Sequence, residues 1–360
     1  MISALNTLPQ HQFAIVANED GDLVVSTSAP LPPLEPDMLL VRTAAIAINP
    51  VDVKLTGPMA NPGATTGCDF AGTVIATGSR VPIDKFSMGD RIAAVVPGMN
   101  SASTHIGAFA EYVTAYAEFA WKIPSDMSFD SAATLGVSAT IAGYALFWSL
   151  KIPRQPGNPD RRGSFVLVYG GSTASGTMAI QLIRRSGMIP ITTCSPHNFP
   201  LVQSYGAEKA FDYSTPNCAA DIRAYTGNSL YYALDCFCEA SSMEICYAAI
   251  GRAGGKYTTL EPYPEHLHTH KAIKPEWLLG PRILGKRVGW KPPYDVEPDS
   301  DLYKFGKQWF SCFQHMLSTG QIRTHPVRIA ERLGISGIPE GIELVKKGFL
   351  SGEKLVYQVP

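Results

Sequence analysis

The segment Gly170-Gly171-Ser172-Thr173-Ala174-Ser175-Gly176 follows an apolar run and opens a helical stretch that continues to Arg185. A strand that enters a glycine turn and then a helix presents backbone N–H groups and a positive helix end to a pyrophosphate. The spacing departs from G-x-G-x-x-G, because Thr173 and Ala174 stand where glycines would, and Ser172, Thr173 and Ser175 offer hydroxyls instead. An ordinary strand-to-helix turn is the alternative. After the next apolar run the chain reads Cys194-Ser195-Pro196-His197-Asn198, with no carboxylate to accept a ribose 2′-hydroxyl as an NAD site requires. Ser195 and Asn198 can donate hydrogen bonds to a 2′-phosphate and His197 can add partial charge, which favours NADP; a simple turn followed by an N-cap is the alternative.

Other groups carry less chemistry. His266, His268 and His270 alternate in His-Leu-His-Thr-His, which would face them one way on a strand, but the Pro-rich setting reads as loop packing or surface rather than a metal site. Cys236, Cys238 and Cys246 fall on an apolar strand and the helix after it, where buried thiols are ordinary core residues. No Ser-His-Asp arrangement stands out, and G-x-S-x-G is absent. Seven cysteines, an odd number spread over the chain, argue for reduced thiols and against a disulfide framework.

The elements that position these groups follow from periodicity. Residues 165–169 read as a buried strand, the stretch to Arg185 as a helix and residues 190–194 as the next strand, a βαβ unit that forms the first half of a dinucleotide fold. Alternation continues through 210–211, 232–236 and 256–260. Upstream, residues 38–48, 72–76 and 91–96 read as strands between Gly and Pro clusters, an all-β texture. From Ser131 the texture changes, since Ala132, Leu135, Ala139, Ala142, Leu146 and Leu150 recur at helical spacing. Residues 151–163 read as an exposed loop, 261–298 as a long loop with short helical pieces, 342–347 as the end of a helix capped by Gly348, and 354–359 as a closing strand.

Composition sets the outer bounds. A chain of 360 residues holds about two domains. Thirty basic residues against 31 acidic ones, a net charge of −1, 17% charged and 45% hydrophobic residues exclude disorder and a polybasic nucleic-acid surface. The uncharged stretches 131–150 and 163–183 are interrupted by Gly, Ser and Thr and read as buried core elements rather than membrane spans. Met1-Ile2-Ser3-Ala4-Leu5-Asn6 has neither a basic n-region nor an apolar h-region, so the expectation is a cytoplasmic protein.

Asn49-Pro50-Val51-Asp52-Val53-Lys54, Gly67-Cys68-Asp69-Phe70-Ala71-Gly72-Thr73-Val74, Gly89-Asp90-Arg91 and Gly107-Ala108-Phe109-Ala110-Glu111-Tyr112 together resemble the N-terminal domain of the zinc-free medium-chain dehydrogenase/reductase superfamily. Tyr169-Gly170-Gly171-Ser172-Thr173-Ala174, the segment 193–198, Ala249-Ile250-Gly251-Arg252-Ala253-Gly254-Gly255 and Leu350-Ser351-Gly352-Glu353-Lys354-Leu355-Val356 are similar to the trans-acting enoyl reductases of fungal polyketide pathways. In zinc-dependent relatives a Cys ligand takes the place of Asn49 and a Gly-His-Glu triplet that of Gly67-Cys68-Asp69, and a four-cysteine lobe lies where residues 91–107 contain no cysteine. The resemblance therefore implies no metal, and conjugate hydride addition to an already polarised enone or enoyl thioester.

The resemblance implies an α/β fold, with a GroES-like β-rich substrate domain (residues 1–130 and 322–360) and a Rossmann doubly wound parallel sheet domain (131–321), the active site lying in the cleft between them. It implies a catalytic role for Lys54, stabilising enolate charge or organising a proton source, with cofactor binding and a solvated surface position left open. It implies that the Thr140 hydroxyl bonds the substrate carbonyl or the cofactor, with plain helix packing left open. NADPH contacts are implied for Pro50, Val51, Asp52 and Val53, for Ser172, Thr173, Ala174 and Ser175, and for Ser195, Pro196, His197, Asn198 and Tyr213. Leu260, Glu261, Leu350 and Ser351 complete that set. Substrate contacts are implied for Ser138, Thr140, Leu279, Gly280, Pro281, Arg282 and Ile283. The implied partner is the acyl carrier protein of a polyketide synthase or synthase–peptide synthetase hybrid, served by a monomer. Two alternatives stay open: a quinone or enone reductase acting on free small molecules, and a non-catalytic NADPH-binding protein.

Overall fold

A computed structural model describes residues 8–153, 156 and 163–360. The first six residues and most of the expected loop over 151–163 lie outside the described residues. The chain divides into two compact units, one formed by 1–137 and 281–360 and the other by 138–280.

The first unit opens with an antiparallel hairpin, β1 (His11–Ala17) and β2 (Leu23–Pro30). The long strand β3 (Met38–Ala47) is buried at eight of its ten positions, which marks it as the centre of a sheet rather than an edge. It runs into α1 (Pro50–Lys54), a single turn started by Pro50 and closed by a capping box in which the Asp52 carboxylate accepts the Asn49 backbone N–H at 2.7 Å. Next come β4 (Asp69–Thr77), β5 (Arg91–Val95), β6 (Tyr112–Tyr116) and β7 (Ala120–Lys122).

The helix expected from residue 131 to 150 is in fact three pieces: α2 (Phe129–Ala132), α3 (Gly136–Gly143) and a π-helical turn, Tyr144–Ser149. The break has a local cause. The buried Asp69 carboxylate accepts the Val137 N–H at 2.6 Å and so caps the start of α3. Gly136 is required there, because a Cβ at that position would lie 2.3 Å from Asp69 Oδ1. The segment Phe129–Ser149 is long and apolar enough to cross a membrane by length and composition, and 78% of its most apolar window is buried inside the structure.

The second unit is built on β8 (Phe165–Tyr169), α4 (Ala174–Arg185), β9 (Ile189–Thr193), α5 (Phe199–Ser204), β10 (Lys209–Phe211), α6 (Cys218–Tyr225), β11 (Tyr232–Asp235), α7 (Ala240–Ala249), β12 (Gly255–Thr259) and β13 (Ile273–Trp277). All five strand pairs are parallel, in the order β10-β9-β8-β11-β12-β13. Renumbered within the unit this is 3-2-1-4-5-6, the Rossmann order. β13 corrects the sequence reading, which placed 261–298 in a loop. Its alternation of buried and exposed positions is short, and Pro275 reads as a breaker but is tolerated because the strand is at the sheet's edge.

From Pro281 the chain is part of the first unit again, where the sequence reading placed the return at 322. After the small hairpin β14 (Val288–Gly289) and β15 (Asp295–Val296), the helix α8 (Ser300–Ser318) lays its apolar stripe on β7. Trp121 stacks on Phe310 at 4.3 Å and donates its indole N–H to the Phe310 carbonyl, which ties α8 to the first unit. β16 (Val327–Ile329), α9 (Ile338–Lys346) and β17 (Lys354–Gln358) finish the chain. The sheet order is β16-β17-β3-β4-β5-β7, with β6 paired to β3 beside β17's short register.

Candidate active site

Lys54 ends α1, a helix whose N-terminal half is fixed from beneath. Asn49 donates its amide N–H to Asp69 Oδ2 at 3.1 Å. Lys354, at the start of β17, donates to the same oxygen, and both side chains are withdrawn from solvent. Asp52 accepts the Cys68 thiol proton as well as the Asn49 backbone N–H. Burial pushes the Asp52 carboxyl up to about 7, opposed in part by the hydrogen bond from Asn49. Burial also raises the Cys68 thiol well above its ordinary value, so it stays a protonated donor. Asn49 and Asp69, which the resemblance places at zinc-ligand positions, are here bonded to each other, Cys68 is bonded to Asp52, and the Lys354 ammonium lies on Asp69.

The C-terminal end of this arrangement is Lys54, which is half-buried. Its ammonium donates to the Tyr294 hydroxyl and stands 3.9 Å from the centre of the Tyr294 ring. Tyr294 is 8% exposed. It was invisible to sequence reasoning because it falls in the stretch taken as loop. Lys354 left a signal, a lone charge entering the apolar strand Leu355-Val356-Tyr357. Of the neighbouring expected cofactor contacts, Pro50 is exposed and Val51 and Val53 are half-buried, while Asp52 faces inward. Leu350 is half-buried and Ser351 exposed, just before β17.

In the second unit the glycine turn is made for close approach. Gly170 has φ +83°, and a Cβ on Gly171 would lie 1.9 Å from Thr192 Oγ1. Thr173 is the N-cap of α4: its hydroxyl accepts the Gly176 N–H at 3.0 Å and donates to the Gly170 carbonyl at 2.8 Å. Its side chain is thus committed to the turn, while Ser172, Ala174 and Ser175 stand around the helix start. After β9, Ser195 precedes the tight turn Pro196–Asn198 and pairs with the Tyr213 hydroxyl at 3.2 Å, so two residues named from sequence for one phosphate do meet. His197 is exposed and Asn198 buried. After β12, Leu260 donates its N–H to Cys238 Sγ at 3.0 Å, and Glu261 follows it, half-buried. Cys236 and Cys238 lie in the turn after β11 rather than on it, and Cys246 is on α7.

Ser138 and Thr140 share α3 and are both 2% exposed. The Thr140 hydroxyl is buried without a hydrogen-bond partner, a vacancy a ligand carbonyl or amide would fill. Leu279 is buried and Gly280 lies against Ile141 of α3, where a Cβ would come within 2.8 Å of the Ile141 side chain. Pro281, Arg282 and Ile283 belong to the first unit, with Arg282 paired to Asp299 at 3.4 Å and Ile283 fully buried. Among the loop histidines, His268 is bonded through Nδ1 to the Tyr247 hydroxyl at 3.0 Å. The orphaned Thr140 hydroxyl, the glycine cradle and the Ser195–Tyr213 donors fit a nicotinamide dinucleotide.

Residues 35–125 match the alcohol dehydrogenase GroES-like domain family. The chain is 49% identical over 357 residues to the trans-enoyl reductase FSL5 of Gibberella zeae, covering 99% of both chains, and 46% identical to the trans-enoyl reductase buaC of Petromyces alliaceus, covering 97% of this chain and 98% of the other. Its fold is that of the CurK enoyl reductase (TM-score 0.73, 17% identity, 98% of this chain and 100% of that one). It is equally that of a putative zinc-dependent alcohol dehydrogenase from Rhizobium etli (TM-score 0.75, 21% identity, 96% and 98%). A Rossmann sheet, a GroES-like domain and near end-to-end identity of this degree have one reading: the chain is an oxidoreductase of the medium-chain dehydrogenase/reductase superfamily and belongs to its trans-enoyl reductases.

Proposed function

We propose that this protein reduces the α,β-double bond of an enoyl thioester carried on the phosphopantetheine arm of an acyl carrier protein. The partner is a polyketide synthase or synthase–peptide synthetase hybrid, and the protein acts as a cytoplasmic monomer. The reading rests above all on the 49% identity, over 99% of both chains, to a protein named a trans-enoyl reductase.

When bound, NADPH supplies the hydride that the β-carbon receives. The chain's own residues do the rest. Ser195 and Tyr213 donate to the 2′-phosphate, and the start of α4 faces the pyrophosphate. Negative charge gathers on the thioester oxygen as the enolate forms, and the Lys54 ammonium, fixed at the end of α1, stabilises it. The Thr140 hydroxyl takes a ligand carbonyl as the partner it lacks. Crotonyl pantetheine thioester with NADPH, with and without a candidate synthase, tests the reading: cofactor oxidation with the thioester and none with quinones is the expected result. Oxidation with quinones alone would replace it by a quinone reductase, and NADPH binding with neither by a non-catalytic binding protein.

A further inference from the structure

The loop that carries Tyr294 is pinned more firmly than a surface loop needs to be. The Gly289 carbonyl accepts from Ser101 Oγ at 2.7 Å and from the Asn61 side chain at 3.0 Å. The Trp290 indole donates to the Gly98 carbonyl at 2.9 Å, and Lys291 Nζ to the Pro58 carbonyl at 2.7 Å. The Tyr294 N–H then closes back on the Lys291 carbonyl at 3.1 Å. These bonds hold a phenol against the ammonium of Lys54, which approaches both its oxygen and its ring. An oxygen that accepts from a cation keeps its own O–H as a polarised donor, and the same cation stabilises the phenolate left when that proton departs. Lys54 alone provides charge. With Tyr294 it provides a proton and a way to replace it.

We propose that Tyr294 is the proton donor that completes the reduction, with Lys54 as the group that carries its charge and restores its proton. The inference rests on the enoyl-thioester reading above. After hydride addition at the β-carbon, the enolate's electron pair would form the new Cα–H bond as the Tyr294 O–H bond breaks, and the thioester carbonyl would re-form. The phenolate takes a proton from the Lys54 ammonium, and the neutral amine is recharged from water. One hydride and one proton are consumed, and the enzyme returns to its starting state.

The test uses the full chain, NADPH and an α-methylcrotonyl pantetheine thioester in D2O. Tyr294→Phe keeps the ring and removes the hydroxyl. It should lower kcat by about 100-fold with KM within about threefold. Its residual product should carry deuterium on both faces of the α-carbon, where the native protein labels one. A structural role for Tyr294 would not scramble the label. Native kcat, or single-face labelling, in Tyr294→Phe would overturn the proposal. In the free protein, the ζ-carbon resonance of labelled Tyr294, assigned by its loss in Tyr294→Phe, should move in Lys54→Met; an unmoved resonance would remove the pairing. If Tyr294→Phe folds poorly, 3-fluorotyrosine at 294 should change the solvent isotope effect on kcat, and an unchanged effect would count against proton donation. A native protein that binds NADPH and turns over no thioester, while the Tyr294 resonance still moves in Lys54→Met, would instead sink the enoyl-reductase reading.

Discussion

Lys354 and Asp69 stand 285 residues apart and meet in the core of the first unit, where the ammonium of one lies on the carboxylate of the other. Asp69 is also bonded to Asn49, before the Lys54 helix, and to Val137, at the start of α3. One buried carboxylate therefore anchors two helix starts, and one lysine from the last strand makes that burial tolerable.

Removing the lysine alone should be severe. Lys354→Met leaves Asp69 charged and unmatched in a site from which water is excluded, and should cost about 3–5 kcal/mol of stability. Asp69→Asn combined with Lys354→Met should recover most of that loss. Urea denaturation of the two variants and the native chain measures it.

Stability against pH should show two opposed slopes. Asp52 is raised from 3.8 to about 7 by burial, so its contribution is full below pH 3.8 and is lost as pH rises towards 7. His325 is lowered from 6.5 to about 3 by burial and by Lys354, so its contribution is full above 6.5 and is lost as pH falls towards 3. Between about pH 4 and 6.5 the two slopes, each up to about 1.4 kcal/mol per pH unit, nearly cancel. Asp52→Asn should unmask a stability that rises with pH, and His325→Gln one that falls. Denaturation midpoints from pH 4 to 8 check both signs.

Thr140→Val replaces a buried hydroxyl that has no partner by a methyl of the same shape. The free protein should gain stability, by about 1 kcal/mol, while turnover falls at least tenfold. Thermal unfolding without ligand, set beside steady-state rates, separates the two effects. A variant neither more stable nor slower would return Thr140 to plain helix packing.

NADPH should bind at least tenfold more tightly than NADH, about 1.4 kcal/mol. Ser195→Asp should narrow that gap by placing a carboxylate beside the 2′-phosphate. Fluorescence titration with each cofactor decides it.

The sequence declared the start of the second unit readily, because β8 is an apolar run buried at four of its five positions and α4 opens at the glycine turn with Thr173 as its cap. β13 escaped because an edge strand with Pro275 lacks that run. The early return at Pro281 escaped because it rests on long-range contacts, such as Trp121 against Phe310 across 189 residues, that no local period encodes. Ser195 and Tyr213 were legible as a pair because both end or follow adjacent strands of one sheet. Lys54 was legible as a charge in a motif. Its partner Tyr294 was not, since only the pinned loop brings it there.

The divided first unit has a consequence for the order in which the protein can assemble at the ribosome. The Rossmann sheet is encoded without interruption in 138–280 and can close as soon as that stretch has emerged. The strands ahead of it cannot. Until residue 354 is made, β3 lacks β17 along one edge and Asp69 has no ammonium to sit beneath. The part synthesised first is thus the part completed last, and the turn that presents Lys54 acquires its foundation only when the final strand arrives.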